Sequence, residues 1–342
     1  MEKIVKKNIG IVGATGYVGQ ELLSILDSHD KVSICFVSSF NRKNEFLFDV
    51  IKPYLNISNL KLEDIKNLDN YDLDIIFFAT KHNFSMNYIP NLLSKGIKVI
   101  DLSADFRFAD PNLWKETYES DHKVPELLSS STYGLPEFNA TKIKESNLIA
   151  VPGCYPTASL LGLIPIAKYI KPQSKIILDV KSGISGAGRN SVEESLRDEI
   201  ENNFKAYSPE KHRHQPEIKS FLKDNFGISS EIIFTPHLIP TFRGEYITAY
   251  VDLVESVEDI IKLYKNFYKD KSFVRILEKG TIPEIKKVQN TNYCDISIFK
   301  NMESTVIHVA IDNLIKGAAG QAIQCLNLMI NEKEEYNLKG SI

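Results

Sequence analysis

The first half of the chain alternates continuous apolar runs with amphipathic ones. The apolar runs predict buried strands, and they are NIGIVGA, KVSICFVSS, DLDIIFFAT and GIKVIDLSA. The segments GQELLSILDSHD and NFSMNYIPNLLSKG lie between strands and predict helices. Unbroken apolar strands that alternate with helices are typical of a parallel sheet covered on both faces. We therefore predict an α/β domain for this half.

The pattern changes near Val151. Six apolar or alternating segments predict strands with few helices between them: KIILDVKSGIS, EIIFTPHLIP, GEYITAYVDLV, SFVRIL, YCDISIF and TVIHVAID. This clustering predicts an α+β domain with a mixed, largely antiparallel sheet. SVEESLRDEIENNF predicts a charged helix, and AAGQAIQCLNLMIN predicts a final helix whose broad apolar face must be buried.

Composition narrows the class of protein. The chain has 342 residues, 43% hydrophobic and 25% charged, as expected for a soluble protein of two domains. A net charge of −3 argues against a nucleic-acid partner, and no apolar run approaches the roughly 18 residues of a membrane span. The four cysteines lack CxxC spacing, so we expect no metal site, no disulfide framework and a cytoplasmic location.

A glycine-rich turn follows the first predicted strand and opens the first helix. Such a turn lets a pyrophosphate approach the backbone at a helix N-terminus, which attracts negative charge. The spacing is GxxGxxG and only approximates the standard fingerprint, so a turn without a ligand is the alternative. The candidate cofactor-binding residues of this Rossmann-type domain are Gly13, Thr15, Gly16, Tyr17, Val18 and Gly19.

The end of the second strand indicates which dinucleotide is bound. An acidic residue that binds the ribose of NAD is expected there, but the chain has Ser38 and Ser39, followed by Arg42 and Lys43. Hydroxyl groups and cations suit a 2′-phosphate, whereas a carboxylate would repel it. The segment therefore favours NADP(H), with a solvated loop as the alternative.

Cys154 lies in VPGCYPTA, at the start of a predicted helix and at the predicted domain junction. The unpaired N–H groups of a helix N-terminus stabilise a thiolate and also an oxyanion. A buried structural cysteine is the usual alternative, but a turn between proline residues is a poor place for core packing. We predict that Cys154 is a nucleophile.

Two histidines supply a candidate acid or base. His212 and His214 lie in HRHQPEI, just before a helix that Pro216 is predicted to begin. Imidazole titrates in the range that proton transfer requires, although a pair of solvated histidines is the alternative. Metal ligation is disfavoured because no further ligands are spaced nearby.

Cationic and glycine-rich segments predict an anionic substrate. LSADFR, KSGISGAGR and HLIPTFRGEY supply Arg107, Lys181, Arg189 and Arg243. Arginine binds carboxylate and phosphate oxygens in pairs, and the turn at Ser182, Gly183 and Ser185 offers hydrogen-bond donors. A thiol, an imidazole, a nicotinamide and an anion site together suit reduction of an activated acyl group through a thioester.

The chain resembles the N-acetyl-γ-glutamyl-phosphate reductases of arginine biosynthesis, within the aspartate-semialdehyde dehydrogenase group. The shared segments, in the family's order, are GATGYVGQEL, LSADFR, YGLPE, VPGCYPTA, SGISGAGR, HRHQPEI, HLIPTFRGEY and DNLIKGAAGQAIQ. The resemblance implies that Cys154 is the nucleophile, that His212 or His214 is the base, and that Arg107 contacts the substrate. It places Ser182, Gly183 and Ser185 near the substrate phosphate or the cofactor, and Asn313, Lys316 and Gly317 near the cofactor. Arg189, in the same segment, is a further candidate for substrate binding.

The resemblance also implies the organisation of the chain. Residues 1–151 and 316–342 would form the NADP-binding domain, with the C-terminal helix returning to it, and residues 152–315 the catalytic domain. The family forms homodimers or homotetramers. Aspartate-semialdehyde dehydrogenase is the nearest alternative, but it lacks HRHxPEI. A reductase acting on a carrier-bound amino acid and an NADP-binding redox regulator are the others.

Overall fold

A computed structural model of the chain describes residues 6–51, 56–189, 199–254, 259–301 and 304–338. The chain divides into two compact units. Unit 1 comprises Met1–Pro152 and Ala318–Gly340, and unit 2 comprises Gly153–Gly317 and Ser341–Ile342. Most of the charged helix predicted over 191–204 lies outside the described residues.

Unit 1 is built on a seven-stranded sheet in the order β3-β2-β1-β4-β5-β7-β6. Every strand pair in it is parallel, which confirms the predicted parallel sheet. The core strands are buried on both faces, and this explains their unbroken apolar sequences. The strands are β1 (Lys7–Val12), β2 (Val32–Ser38), β3 (Leu62–Glu63), β4 (Ile75–Phe78), β5 (Lys98–Asp101), β6 (Thr132–Tyr133) and β7 (Leu148–Ala150).

Helices cover this sheet. The segment predicted as one helix around Pro90 is a 3₁₀ turn, Ser85–Asn87, followed by a short α-helix, because proline is tolerated only in the first turn of a helix. The final helix is buried on all sides and packs on α5 within unit 1. The helices are α1 (Tyr17–Leu26), α2 (Leu47–Val50), α3 (Ile89–Ser94), α4 (Pro111–Tyr118), α5 (Pro136–Glu145) and the final helix, α10 (Gly320–Met329).

Unit 2 contains a second seven-stranded sheet, in the order β12-β13-β14-β11-β8-β10-β9. Four of its six strand pairs are antiparallel, which confirms the predicted mixed sheet. The strands are β8 (Lys175–Ser182), β9 (Lys205–Ala206), β10 (Glu231–Leu238), β11 (Glu245–Asp252), β12 (Val274–Ile276), β13 (Cys294–Asn301) and β14 (Ser304–Ile311).

One helix of unit 2 is central to it and almost wholly buried. This helix, α6, covers Cys154–Leu163 and packs on β11 and β14. A π-helical turn, Ile315–Ala319, follows β14. The other helices are α7 (His214–Phe226), α8 (Ile260–Phe267) and α9 (Ile285–Val288). In the described parts of both units, no helix is long and apolar enough to cross a bilayer.

The C-terminal end of α6 is anchored by two buried tyrosines. Pro165 has no N–H group, so the carbonyl of Leu161, four residues earlier, lacks its helical partner. The hydroxyl of Tyr268 donates to that carbonyl at 2.6 Å, and the hydroxyl of Tyr264, on α8, donates to the carbonyl of Gly162 at 2.5 Å. These hydrogen bonds compensate for the break that Pro165 makes and fix the helix that begins at Cys154.

We expect Tyr268→Phe to lower the free energy of unfolding by about 1–3 kcal/mol, because the buried Leu161 carbonyl loses its donor. Urea denaturation monitored by circular dichroism measures this loss. Tyr169→Phe is the matched control, since the Tyr169 side chain is partly exposed and the loss of its hydroxyl group should change stability by less than about 0.5 kcal/mol. Equal stabilities for the two variants would contradict the anchoring role.

Candidate active site

Cys154 is the first residue of α6, and Gly153 is its N-cap. The cap backbone is extended and makes no side-chain cap hydrogen bond. Residues 155–163 are buried, whereas Cys154 is partly exposed. The thiol is thus accessible at the positive end of a buried helix, which is an environment that favours the thiolate.

The turn before the thiol is held by α7. The N–H group of Gly153 donates to Oε1 of Glu217 at 3.0 Å. A side chain at Gly153 would overlap Nε2 of His214, so the imidazole lies directly against this glycine. The helix begins at His214 rather than at Pro216 as predicted, and this places His214 and Glu217 one turn apart on the same face.

His212 lies in an aromatic cluster beside α6. Its ring makes edge contacts with Tyr155 and Tyr207, each at 5.7 Å between centroids, and stacks on Phe234 at 5.1 Å. The His212 Nδ1 atom accepts a hydrogen bond from the His214 N–H group at 3.2 Å, so the neutral ring carries its proton on Nε2. Burial, assisted by Arg213, lowers the pKa of His212 to about 4.

Two further residues lie at the thiol. A side-chain Cβ at Gly317 would be 2.8 Å from the Cβ of Cys154, so only glycine allows this approach of the π-helical turn. Glu245, at the start of β11, is fully buried, and burial is the main reason why its pKa is raised to about 8. The negative charge of Asp312 contributes to this increase, and the hydrogen bond with the Cys154 thiol opposes it. Glu245 was not predicted from the sequence, although its place on the same face of the predicted strand as the apolar Ile247 and Ala249 was a signal.

A polar cluster lies next to Glu245. The Asn313 amide donates to Oγ of Ser185 at 3.0 Å and accepts from the N–H group of Gly244 at 2.7 Å. The N–H group of Gly183 donates to the Gly244 carbonyl at 2.9 Å, and the Ser182 hydroxyl donates to the Gly183 carbonyl at 3.0 Å. The predicted substrate turn and the predicted cofactor residue Asn313 therefore form one network within unit 2.

The predicted cations have different surroundings. Arg243 forms an ion pair with buried Asp312 at 2.8 Å, and Lys316 is completely buried in the π-helical turn. Lys181 lies on the face of the sheet opposite Ser182, because side chains alternate along β8, and it pairs with Asp179 at 2.5 Å. Arg189 is exposed. Of these residues, only Arg243 belongs to the cluster around Asn313.

The glycine turn of unit 1 connects β1 to α1. Gly13 has φ +84°, and side chains at Gly13 and Gly19 would overlap the backbone at Ala79 and Ala14 respectively, so both positions require glycine. Gly16 is the N-cap of α1, and a Cβ there would meet only the Gly13 carbonyl at 3.4 Å. The space above Gly16 and the uncapped helix N-terminus fit a dinucleotide pyrophosphate. Thr15, Tyr17 and Val18 lie in the same segment.

The two serines at the end of β2, Ser38 and Ser39, are buried. The Ser39 hydroxyl lies 2.9 Å from the Thr15 hydroxyl, which joins the β2 end to the glycine turn. Ser38 is 4% exposed. The cations that follow form surface ion pairs, Arg42 with Glu45 at 2.8 Å and Lys43 with Asp64 at 2.6 Å.

Arg107 is held by the backbone of unit 1. Its Nε donates to the Val151 carbonyl at 2.9 Å and its Nη2 to the Leu102 carbonyl at 3.0 Å. The loop before it is fixed by Ser85, whose hydroxyl lies 2.9 Å from carboxyl oxygens of both Asp101 and Asp105. Burial, with the Asp105 charge, raises the pKa of Asp101 well above its ordinary value. No cluster of potential metal ligands occurs among the described residues.

Two family models match the two halves of the chain. The semialdehyde dehydrogenase NAD-binding domain matches residues 8–146, and the semialdehyde dehydrogenase dimerisation domain matches residues 154–313. The N-acetyl-γ-glutamyl-phosphate reductase of Ruthia magnifica is 42% identical over 97% of each chain. The one from Dictyoglomus thermophilum is 43% identical over 96% of this chain and 97% of its own. The chain belongs to the N-acetyl-γ-glutamyl-phosphate reductase family. It is therefore an oxidoreductase.

Solved structures of more distant proteins share the fold of this family member. Aspartate semialdehyde dehydrogenase II from Vibrio cholerae has a TM-score of 0.73 at 17% identity, over 95% of this chain and 98% of its own. Aspartate semialdehyde dehydrogenase with NADP from Candida albicans has a TM-score of 0.70 at 15% identity, over 95% of this chain and 98% of its own. At these identities the likeness supports the fold alone.

Proposed function

We propose that the chain catalyses the NADPH-dependent reductive dephosphorylation of N-acetyl-γ-glutamyl phosphate to N-acetylglutamate semialdehyde, in arginine biosynthesis. The observation that supports this most strongly is the partly exposed Cys154 thiol at the N-terminus of a buried helix. The geometry alone supports only an acyl-phosphate reductase. The choice of N-acetyl-γ-glutamyl as the acyl group rests on the similarity to N-acetyl-γ-glutamyl-phosphate reductases.

Cys154 forms the covalent intermediate in this proposal. Its sulfur bonds to the acyl carbon, the carbonyl oxygen becomes an oxyanion, and the N–H groups at the start of α6 stabilise that charge. The bond from carbon to the phosphate oxygen then breaks. The thioester remains on Cys154, and phosphate leaves with the proton that the thiol gave up.

We assign the movement of that proton to His212. In the free protein the ring is neutral, with Nε2 protonated and Nδ1 accepting from the His214 N–H group, so the ring can take the thiol proton only at Nδ1, in exchange for that hydrogen bond. A bound phosphate dianion would raise the pKa of the ring, because an opposite charge favours the imidazolium. His212 is partly exposed, whereas His214 is 7% exposed and lies against Gly153. We therefore assign His214 to holding the turn before the thiol.

The proposed NADP-binding domain comprises residues 1–151 and 316–342, bounds that differ by a few residues from those of unit 1, and the proposed catalytic domain comprises residues 152–315. The glycine turn and the α1 N-terminus would hold the pyrophosphate. Ser38 and Ser39 would lie beside the ribose that carries the 2′-phosphate of NADP. NADPH, when bound, supplies the hydride that reduces the thioester to the aldehyde. Collapse of the reduced intermediate returns the Cys154 thiolate, which takes a proton from solvent.

The remaining site residues have proposed roles in binding. Arg107 is assigned to an anionic group of the substrate, and the turn at Ser182, Gly183 and Ser185 to the phosphate. Arg189 is a further substrate candidate. Asn313, Lys316 and Gly317 are candidates for the cofactor, with Gly317 also giving the thiol its space.

We further propose a homodimer or homotetramer in the cytoplasm. The outer face of the unit 2 sheet exposes Ile177, Ile233 and Tyr250, and the matching family model is a dimerisation domain. None of the four cysteines forms a disulfide bond, as expected in a reducing compartment.

The reverse reaction tests the function. We expect the chain to reduce NADP when supplied with N-acetylglutamate semialdehyde and phosphate, measured by absorbance of the reduced cofactor, and not when phosphate is omitted. Turnover of aspartate semialdehyde instead would assign the chain to the related dehydrogenase activity. Inactivity with both aldehydes, together with NADPH binding, would contradict the proposal and favour a carrier-bound substrate or a regulator.

A further inference from the structure

One carboxyl group beside the nucleophile has no task in the chemistry above. Glu245 is 0% exposed, and neither of its carboxyl oxygens has a regular hydrogen bond, while the side chain that interacts with the carboxyl group is the Cys154 thiol. Burying a carboxyl group with no stronger partner than a thiol costs free energy. This cost is offset at a site where the group serves a ligand or a reacting atom.

The fold places Glu245 at the thiol. In β11 it lies opposite Ser182 of β8 and Ile311 of β14, on the buried face of the strand that packs against α6. Gly244 before it has φ +109°, and a side chain there would overlap Ile285, so this position requires glycine. The Gly244 N–H group donates a hydrogen bond to the Asn313 side chain, and the Gly244 carbonyl accepts one from the Gly183 N–H group. These two hydrogen bonds hold the backbone from which the Glu245 side chain extends.

The charges around Glu245 come from four segments of the chain. Within the described residues, the ionisable groups recorded as interacting with it are acids: Cys154 and Tyr155 of α6, Tyr207 after β9, and Asp312 after β14. The nearby cation Arg243 is bound to Asp312, and Lys316 is buried on the turn that follows. Burial raises the pKa of Glu245 to about 8, so the carboxyl group is neutral at pH 7.

We propose that Glu245 controls the charge of the nucleophile: as a neutral acid it donates an O–H hydrogen bond to the Cys154 thiolate, and Cys154 attacks only while Glu245 keeps its proton. An ionised Glu245 would place a second negative charge beside the sulfur, which raises the energy of the thiolate and repels an anionic substrate. No bond is made or broken at Glu245. The claim that ionised Glu245 repels an anionic substrate rests on the proposed function. The claim that Glu245 controls the charge of the Cys154 sulfur does not.

Alkylation of Cys154 by iodoacetamide tests the proposal without substrate. The rate is followed from pH 6 to pH 10 by mass spectrometry of the Cys154 peptide. In Glu245→Gln, which keeps a donor and cannot ionise, we expect a single titration and alkylation about 3- to 10-fold faster than in the unmodified chain above pH 8. Asp101→Asn, which removes another buried carboxyl of raised pKa, should leave the Cys154 titration unchanged.

Turnover provides the second measurement. We expect kcat/KM of the unmodified chain to fall as pH rises through about 8, and this fall to be absent in Glu245→Gln and present in Asp101→Asn. Glu245→Leu, which also cannot ionise, should lack the fall too, and it replaces Glu245→Gln if that variant does not fold. Identical thiol titrations in the unmodified chain and the folded variant would overturn the proposal. So would loss of turnover at every pH in folded Glu245→Gln, since that result requires a carboxylate.

The two proposals fail in distinguishable ways. An unmodified chain that reduces no NADP in the reverse assay contradicts the proposed function, whatever the alkylation rates are. An active chain whose thiol titration is insensitive to Glu245→Gln contradicts only the role of Glu245.

Discussion

Cys154→Ser is expected to lower kcat by about 10⁴-fold or more, the largest effect of any single change in the chain. The N–H groups at the N-terminus of a helix stabilise a thiolate, but a serine hydroxyl there stays protonated. The fold should be unaffected, because the two side chains are similar in size and position 154 is partly exposed. Steady-state kinetics of the reverse reaction measure the loss.

A matched cysteine and a binding measurement complete this test. Cys35, in β2, is also partly exposed, and Cys35→Ser should change kcat by less than about twofold because it touches no proposed site residue. NADPH affinity, measured by cofactor fluorescence, should be the same in Cys154→Ser and in the unmodified chain. Retention of more than about a hundredth of the turnover in Cys154→Ser would contradict a thioester intermediate.

His212→Asn is expected to lower kcat by about 10²- to 10³-fold with little change in KM. Asparagine retains the polar character of the position but cannot carry the proton from the thiol to the leaving phosphate. Because the ring is neutral in the free protein down to about pH 4, the loss should be the same at pH 6 and at pH 8. Initial rates over this range measure both expectations.

The second histidine separates proton transfer from positioning. His214→Asn should lower the midpoint of thermal unfolding as well as kcat, because the His214 ring packs on Gly153 beside the thiol. His237→Asn, on β10 beside Asp179, is the control for losing a histidine from unit 2 and should keep kcat within about twofold. A smaller effect of His212→Asn than of His214→Asn on kcat would exchange the two roles.

Features that depend on neighbouring residues could be predicted from the sequence. Strands and helices follow from hydrophobic periodicity. Both sheets agree with that periodicity, because β4 is buried at every position and β8 at every second position, and the apolar residues occupy those buried positions. The setting of Cys154 was predictable for the same reason, since Gly153, Cys154 and the apolar run that follows are contiguous. The glycine turn of unit 1 is likewise a local feature.

Features that depend on distant residues could not be predicted. Lys181 was grouped with the substrate turn by its place in the sequence, yet the alternation of β8 puts it on the opposite face of the sheet. Asn313 was assigned to the cofactor, and its described hydrogen bonds join Ser185 to Gly244. Tyr268, which compensates for Pro165, lies far along the chain from the helix that it anchors.

The sequence by itself determined the class of fold, the glycine turn of unit 1 and the position of Cys154 at the start of a helix, because each is encoded in a run of adjacent residues. Only the tertiary structure decided which groups surround Cys154. Glu245 begins a strand and Gly317 lies in a turn after another, and the packing of α6 on β11 brings Glu245 to Cys154. Burial in the folded chain raises the pKa of Glu245. This burial depends on residues far apart in the sequence, so it could not be predicted from the residues around Glu245.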